Sequence, residues 1–145
     1  MSNRYYFIFL LLFFVGCGSS PSNVSYNEVK RLSSPDSLVD ALIVEVNGGS
    51  TTPFIYDVYL VPKGKPFLKD SSGNCIFSAD NTDSLNLYWK SEKFLEIQYE
   101  QARIFNFINF WQSGELHDYR YIVEICLTPL AQNSSLKKAY NGIMK

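Results

Sequence analysis

From Leu38 onward the chain alternates apolar and polar positions with a period near two, and turn residues interrupt the alternation at short intervals. LVDALIVEV (38–46) is rich in β-branched residues and stops at Asn47-Gly48-Gly49, a strong turn signal. FIYDVYLV (54–61) follows and is closed by Pro62 and Gly64. The two runs predict a hairpin whose NGGSTTP connection is longer than a tight one. In the second run Phe54, Tyr56, Val58 and Leu60 share one face, and Ile55, Asp57, Tyr59 and Val61 the other. CIFSA (75–79) predicts a short strand between the turns SSGN (71–74) and DNTDS (80–84). LNLYWK (85–90) and KFLEIQY (93–99) alternate cleanly and predict a second hairpin.

ARIFNFINFW (102–111) is the most apolar of these later runs, with Phe105, Phe107 and Trp111 on one face and Ile104, Ile108 and Phe110 on the other. Apolar residues on both faces predict a central strand covered on each side. DYRYIVEICLT (118–128) alternates again and ends at Pro129. In the tail, Ser135 caps a predicted short helix with Leu136, Ala139, Tyr140 and Ile143 at helical spacing. About seven short strands and one short C-terminal helix predict an all-β fold, an antiparallel β-sandwich or small barrel. Short links predict that successive strands are neighbours.

The first seventeen residues follow other rules. Arg4 is followed by eleven uncharged residues, Tyr5 to Val15, and then by Gly16 and Cys17. A positive start, a short apolar core and a small residue before a cut describe a secretory signal. An eleven-residue helix is about 16 Å long, too short for a hydrocarbon core of about 30 Å. Phe14-Val15-Gly16-Cys17 resembles the bacterial lipobox, with Phe14 in place of the usual Leu. The resemblance implies that Cys17 takes a diacylglyceryl group, that the chain is cut before it and that the new amino group is acylated. It also implies an address. Gly18, not Asp, follows the cysteine, which points to the outer membrane, facing the periplasm or the cell surface. The organisation read from the sequence is a signal peptide over 1–16, a Ser- and Asn-rich tether over 17–34 and a β domain over 35–145. Val24, Tyr26 and Val29 are the tether residues able to dock on the domain.

With Cys17 lipidated, Cys75 and Cys126 remain. An exported chain meets an oxidising compartment, so a Cys75–Cys126 disulfide is expected, closing a loop of about fifty residues. The alternative is two buried thiols packed as small hydrophobes.

Chemistry is sparse. The formal net charge is -1 and no basic stripe appears, so no nucleic-acid partner is expected. His117 is the only histidine; no nucleophile elbow, phosphate cradle or CxxC pair accompanies it. Glu96, Glu100, Glu115 and Asp118 are the carboxylates available for acid–base work. DNTDS lacks the glycine and terminal glutamate of a calcium loop. No catalytic residue, metal or cofactor is expected. Aromatic residues make up 16% of the chain, and such side chains serve either cores or binding faces. Tyr59 and Tyr88 alternate with polar neighbours and are expected to be exposed.

SSPDSLVDALIVEVNGGSTTPFIYDVYLVPKG (33–64) and LYWKSEKFLEIQYEQARIFNFINFWQS (87–113) resemble a family of small uncharacterised bacterial lipoproteins. That family has the pattern SPDG, then VE-NGGATT, Y-VY-VPKG and a later R-IF and N-FW. Ser37 stands where the pattern has Gly. The family carries no assigned activity, so the resemblance implies a domain type and no reaction. Its motifs single out Asn47-Gly48-Gly49 with Thr51-Thr52, and Arg103, Asn106, Asn109 and Trp111, as polar or turn residues beyond what the fold demands. Candidate binding residues are therefore Tyr59, Tyr88, Arg103, Asn106, Asn109 and Trp111. The expected function is a non-catalytic, lipid-anchored envelope protein, an accessory or binding module for an envelope protein or glycan. The alternatives are an immunity or exclusion lipoprotein that blocks a toxin or receptor, and a carboxylate-dependent hydrolase.

Overall fold

The computed structural model describes residues 24–49, 51–69 and 73–130. Cys17 and the predicted helix after Ser135 lie outside the described residues. Nine strands run in the order β1 (Ser25–Ser33), β2 (Val39–Asn47), β3 (Ile55–Pro62), β4 (Cys75–Asp83), β5 (Asn86–Ser91), β6 (Phe94–Tyr99), β7 (Gln101–Phe107), β8 (Phe110–Gln112) and β9 (Ile122–Pro129). They form a five-stranded sheet, β1-β2-β3-β4-β7, and a four-stranded sheet, β5-β6-β9-β8. The fold is all-β, as expected, with no helix among the described residues and no closed barrel. Nine strands replace the expected seven. The four-stranded sheet is mixed, because β9 pairs with β6 in parallel.

Both expected hairpins are present. β2 and β3 pair from Val39↔Pro62 to Val46↔Ile55, and β5 and β6 pair around a turn at Glu92 and Lys93. Strict alternation puts Ala41, Ile43, Val58 and Leu60 on the inner face of one sheet, and Leu87, Leu95, Ile97, Val123 and Ile125 on the inner face of the other. The two inner faces share this one core, with Phe77 and Trp111 its largest fully buried side chains. Each such apolar side chain contributes about 1.5–3 kcal/mol by leaving water. The outer face of the five-stranded sheet carries a second cluster, Leu42, Val44, Tyr59 and Val61, packed under Phe67 and beside Cys75. This is why β2 is buried on both sides at its centre.

Three expectations about elements are corrected. Residues 25–33, assigned to the tether, form β1, an edge strand that pairs with β2 and carries a bulge between Glu28 and Lys30. The apolar run 102–111 is not one central strand. It is two edge strands, β7 in one sheet and β8 in the other, and Phe105, Phe107 and Phe110 are exposed. The chain crosses between sheets at Ile108, whose N–H donates to Ile76 O (2.8 Å), and Asn109, whose carbonyl accepts from Ile125 N–H (2.8 Å). Residues 114–120 form turns, so the last strand begins at Ile122 and not at Asp118.

The disulfide is also corrected, since Cys75 and Cys126 are both free. Cys75 faces outward on β4 within the outer cluster. Cys126 pairs in register with Glu96 on β9 and alternates with the inward Val123 and Ile125. The shared core stands between the two thiols, well beyond disulfide reach.

Candidate functional site

Residues directly opposite one another in a ladder share a face. The registers therefore build a polar field across the outer face of the five-stranded sheet. One rung is Val44, Asp57, Ser78 and Asn106. The rung on one side is Leu42, Tyr59 and Cys75; on the other it is Val46, Ile55, Asp80 and Arg103. Alternation along β3 puts Asp57 between Ile55 and Tyr59, and a bulge between Val58 and Tyr59 brings Cys75 opposite Tyr59.

Asp57 is the centre of this field. The Tyr59 hydroxyl donates to its Oδ2 at 3.4 Å. Its Oδ1 is buried and has no hydrogen-bond partner, the only such side-chain atom among the described residues. Burial pushes the Asp57 carboxyl above its ordinary range, against the hydrogen bonds of Ser78 and Tyr59, which favour ionisation. Burial, with the neighbouring Asp57 charge, also pushes the Cys75 thiol up to about 11. That thiol donates to Phe77 O at 3.5 Å. At neutral pH it is protonated and a poor nucleophile. Tyr59 is raised by burial and by the same acidic neighbours, so its hydroxyl stays a donor. Asp57 Oδ1 thus keeps an unused acceptor position enclosed by its neighbours.

Arg103 and Asn106 border the field on β7. Arg103 Nε donates to Asp80 Oδ1 at 2.7 Å and a second nitrogen meets Oδ2, a bidentate pair that holds the Asp80 carboxyl below its usual range. The guanidinium lies 5.4 Å from the Phe105 ring centre, within cation–π range. Asn106 Nδ2 reaches Cys75 O at 3.4 Å.

Of the six candidate binding residues, the fold thus brings Tyr59, Arg103 and Asn106 to one face. It separates the other three. Tyr88 is exposed on the outer face of the four-stranded sheet, opposite Glu96. Asn109 is exposed at the crossing between sheets. Trp111 is a core residue, 2% exposed, with its Nε1 donating to Asn74 Oδ1 at 3.1 Å. Tyr59 is 3% exposed, against the expectation of an open ring, because Phe67 covers it at 5.3 Å between ring centres. Asp57, Ser78 and Asp80 are missing from the sequence candidates. The available signal was the alternation that already put Asp57 and Tyr59 on one face.

The family-like motifs SPDS and PKG meet at the far end of the strands. Asp40, 1% exposed, accepts from Arg31 (2.9 Å), Lys63 (3.2 Å), the Ser33 hydroxyl (2.8 Å) and the Gly64 N–H (3.0 Å). Burial alone would raise its carboxyl; these four donors overcome that and hold it at about 2. Asp36 accepts from the Ser34 hydroxyl (2.6 Å), the Leu38 N–H (3.2 Å) and Tyr121 Oη. Both carboxylates are saturated by protein donors, so this end is a structural knot. The carboxylates considered for acid–base work do not converge. Glu96 is buried against Lys90 at 2.7 Å. Glu100 follows β6, and Glu115 and Asp118 lie in the turns before β9, at opposite ends of the strands. His117, exposed, sits in those same turns with φ 52. No three His, Cys, Asp or Glu side chains gather as a metal site among the described residues. A cleft of about 340 Å³ opens between the edges of the two sheets, lined by Val29, Lys30, Ile43, Tyr56, Thr82, Ser84 and Leu85.

No family model, curated protein or solved structure matches the chain.

Proposed function

We propose that this chain is an outer-membrane lipoprotein, a β-sandwich held by acyl chains on Cys17 that acts as a non-catalytic binding module for an envelope protein or glycan. The observation that carries the reading is the uncharged run Tyr5–Val15 ending at Gly16-Cys17. Three acyl chains on one cysteine hold a protein to a bilayer without any spanning segment. The contact face is the outer face of the five-stranded sheet, around Asp57, Arg103 and Asn106. Its support is the unpartnered Asp57 Oδ1 on β3 and, on the neighbouring rung of β7, the exposed Arg103 paired with Asp80. A buried acceptor left open inside a folded sheet is a cost that a bound donor removes.

Two measurements test the reading. Inhibiting the lipoprotein signal peptidase, or making Cys17→Ser, should leave unprocessed precursor without acyl mass; normal processing refutes the anchor. A photo-crosslinking residue at Asn106 should trap envelope material in cells, while the same residue at Glu124 on the other sheet should not. Equal yields from both positions refute the assigned face.

A further inference from the structure

We infer that the tip of the β2–β3 hairpin, carried by residues 48–49 and 51–54, is a second membrane contact, seated in the phospholipid headgroup layer on the side of the domain that carries the lipid tether. This rests on the lipoprotein reading above. Only seven residues, 18–24, separate Cys17 from the start of β1 at Ser25. Fully extended, that link spans about 25 Å, no more than the length of the strands themselves, about 26–30 Å. Ser25 pairs with Asn47, the residue at which the hairpin tip begins. Lipid attachment therefore holds the tip end near the bilayer and directs the Asp36–Asp40 end away from it.

The tip is suited to that place. Residues 46–56, VNGGSTTPFIY, contain no charge. Thr51, Thr52, Pro53 and Phe54 are all exposed, with Phe54 at 48%. The described residues of the turn are hydrogen-bonded to one another. Asn47 Oδ1 accepts from Gly49 N–H at 2.9 Å, and Gly49 O accepts from Thr52 N–H at 3.2 Å. A Cβ at Gly48 would lie 2.6 Å from Thr52 Oγ1, so the Thr52 side chain would have to turn away; Gly49 has φ +104. An aromatic residue on an uncharged turn fits the interfacial layer, where rings favour the headgroup depth. Beside the tip, Lys69 Nζ lies 5.7 Å from the exposed Tyr26 ring, a cation placed for lipid phosphates. Asp83 and Glu100 stand at the same end but on β4 and after β6, joined by the Glu100 N–H to Asp83 O bond of 2.9 Å. Their charge tilts the contact toward the hairpin side. Tethering raises the local concentration of the tip at the surface to about the millimolar range, so a weak interfacial preference suffices.

The test uses the full, acylated protein in phosphatidylethanolamine–phosphatidylglycerol vesicles containing brominated lipid. Phe54→Trp places a fluorophore at the tip. Phe110→Trp places one of similar exposure, 49% for the native ring, at the far end on the other sheet. With the parent signal from Trp89 and Trp111 subtracted, the indole introduced at position 54 should be quenched roughly twofold or more beyond the one introduced at position 110. Equal quenching at the two positions, or none at position 54, in protein whose acyl mass is confirmed overturns the contact and leaves the anchor intact. Absence of acyl mass overturns the anchor and the contact together.

Discussion

Cys75 and Cys126 face outward from opposite sheets, with the apolar core of the molecule between them. No local movement joins them, because a disulfide needs Cα atoms within about 7 Å. Cys75 and Cys126 should therefore both remain thiols even under oxidising conditions. Intact mass after alkylation without reductant should show two adducts on Cys75 and Cys126; an unreactive pair restored by reductant refutes this. Cys75, pushed up to about 11 from 9.0 by burial and Asp57, should react at least about 10-fold more slowly at pH 8 than an unburied thiol of ordinary pKa, its smaller thiolate fraction outweighing the greater nucleophilicity of a more basic thiolate.

Asp40 makes the fold acid-sensitive in a defined window. Its folded carboxyl, at about 2, lies below the unperturbed 3.8. A depressed folded pKa stabilises the protein fully above the unfolded value, and that stability is lost as pH falls through the folded value. The group should contribute about 2 kcal/mol above pH ~4.5 and lose it between about pH 4 and pH 2. Asp40→Asn should lower the urea midpoint at pH 7 by an equivalent of about 2–3 kcal/mol, because Lys63 and Arg31 lose their shared carboxylate, Arg31 keeping only Glu28 as its acidic partner. The variant should also lose that part of the acid limb. An unchanged pH profile would show that Asp40 is not the titrating group.

How legible was all this from the residues alone? The β5–β6 hairpin was legible because one face of each strand is apolar and the other polar, and the β2–β3 hairpin because two β-branched runs flank the Asn47-Gly48-Gly49 turn signal. β1 was not. SYNEVKRLS is exposed over its first seven residues, so no buried face imprints a period on it. The run 102–111 misled for the opposite reason. Its apolar residues serve two different sheets, Ile104 packing against the core from β7 and Trp111 from β8, and two half-strands read as one two-faced strand. The parallel pairing of β6 with β9 joins segments about thirty residues apart in sequence, and no local pattern encodes it. At the site, Arg103 and Asn106 were found as motif residues. Asp57 and Ser78 were not, because their proximity arises only from strand register.

Ser37 carries backbone strain that its neighbours hold in place. It occupies the SPDS turn with φ 60, and its N–H donates to Ser34 O at 2.8 Å. A left-handed backbone penalises any residue with a Cβ and leaves glycine unpenalised. Ser37→Gly should raise stability by about 0.5–1 kcal/mol, the relief of strain exceeding the extra entropy of the unfolded chain. Ser37→Val should lower stability by more than that. Urea midpoints of the three proteins at one pH decide the matter, and a glycine variant less stable than the parent would contradict the strained turn.

Asp57 works against stability, and its pH dependence runs opposite to that of Asp40. Burial raises its folded carboxyl above 3.8. A raised acid is neutral and harmless at low pH; its penalty grows as pH rises through the unfolded value and is complete above the folded one. An unpaired buried acceptor costs about 1–3 kcal/mol. Asp57→Asn should therefore raise stability at pH 7 by about 1 kcal/mol relative to its effect at pH 3, where both side chains are uncharged. Denaturation at the two pH values measures that difference, and a pH-independent effect would mean that the carboxyl is not a penalty in the fold. If the difference is found, the sheet keeps a destabilising carboxylate on the face proposed for binding, a cost usually kept where function uses the group. The same Asp57→Asn change should then weaken crosslinking from residue 106 while making the protein harder to unfold, a combination that a purely structural residue does not produce.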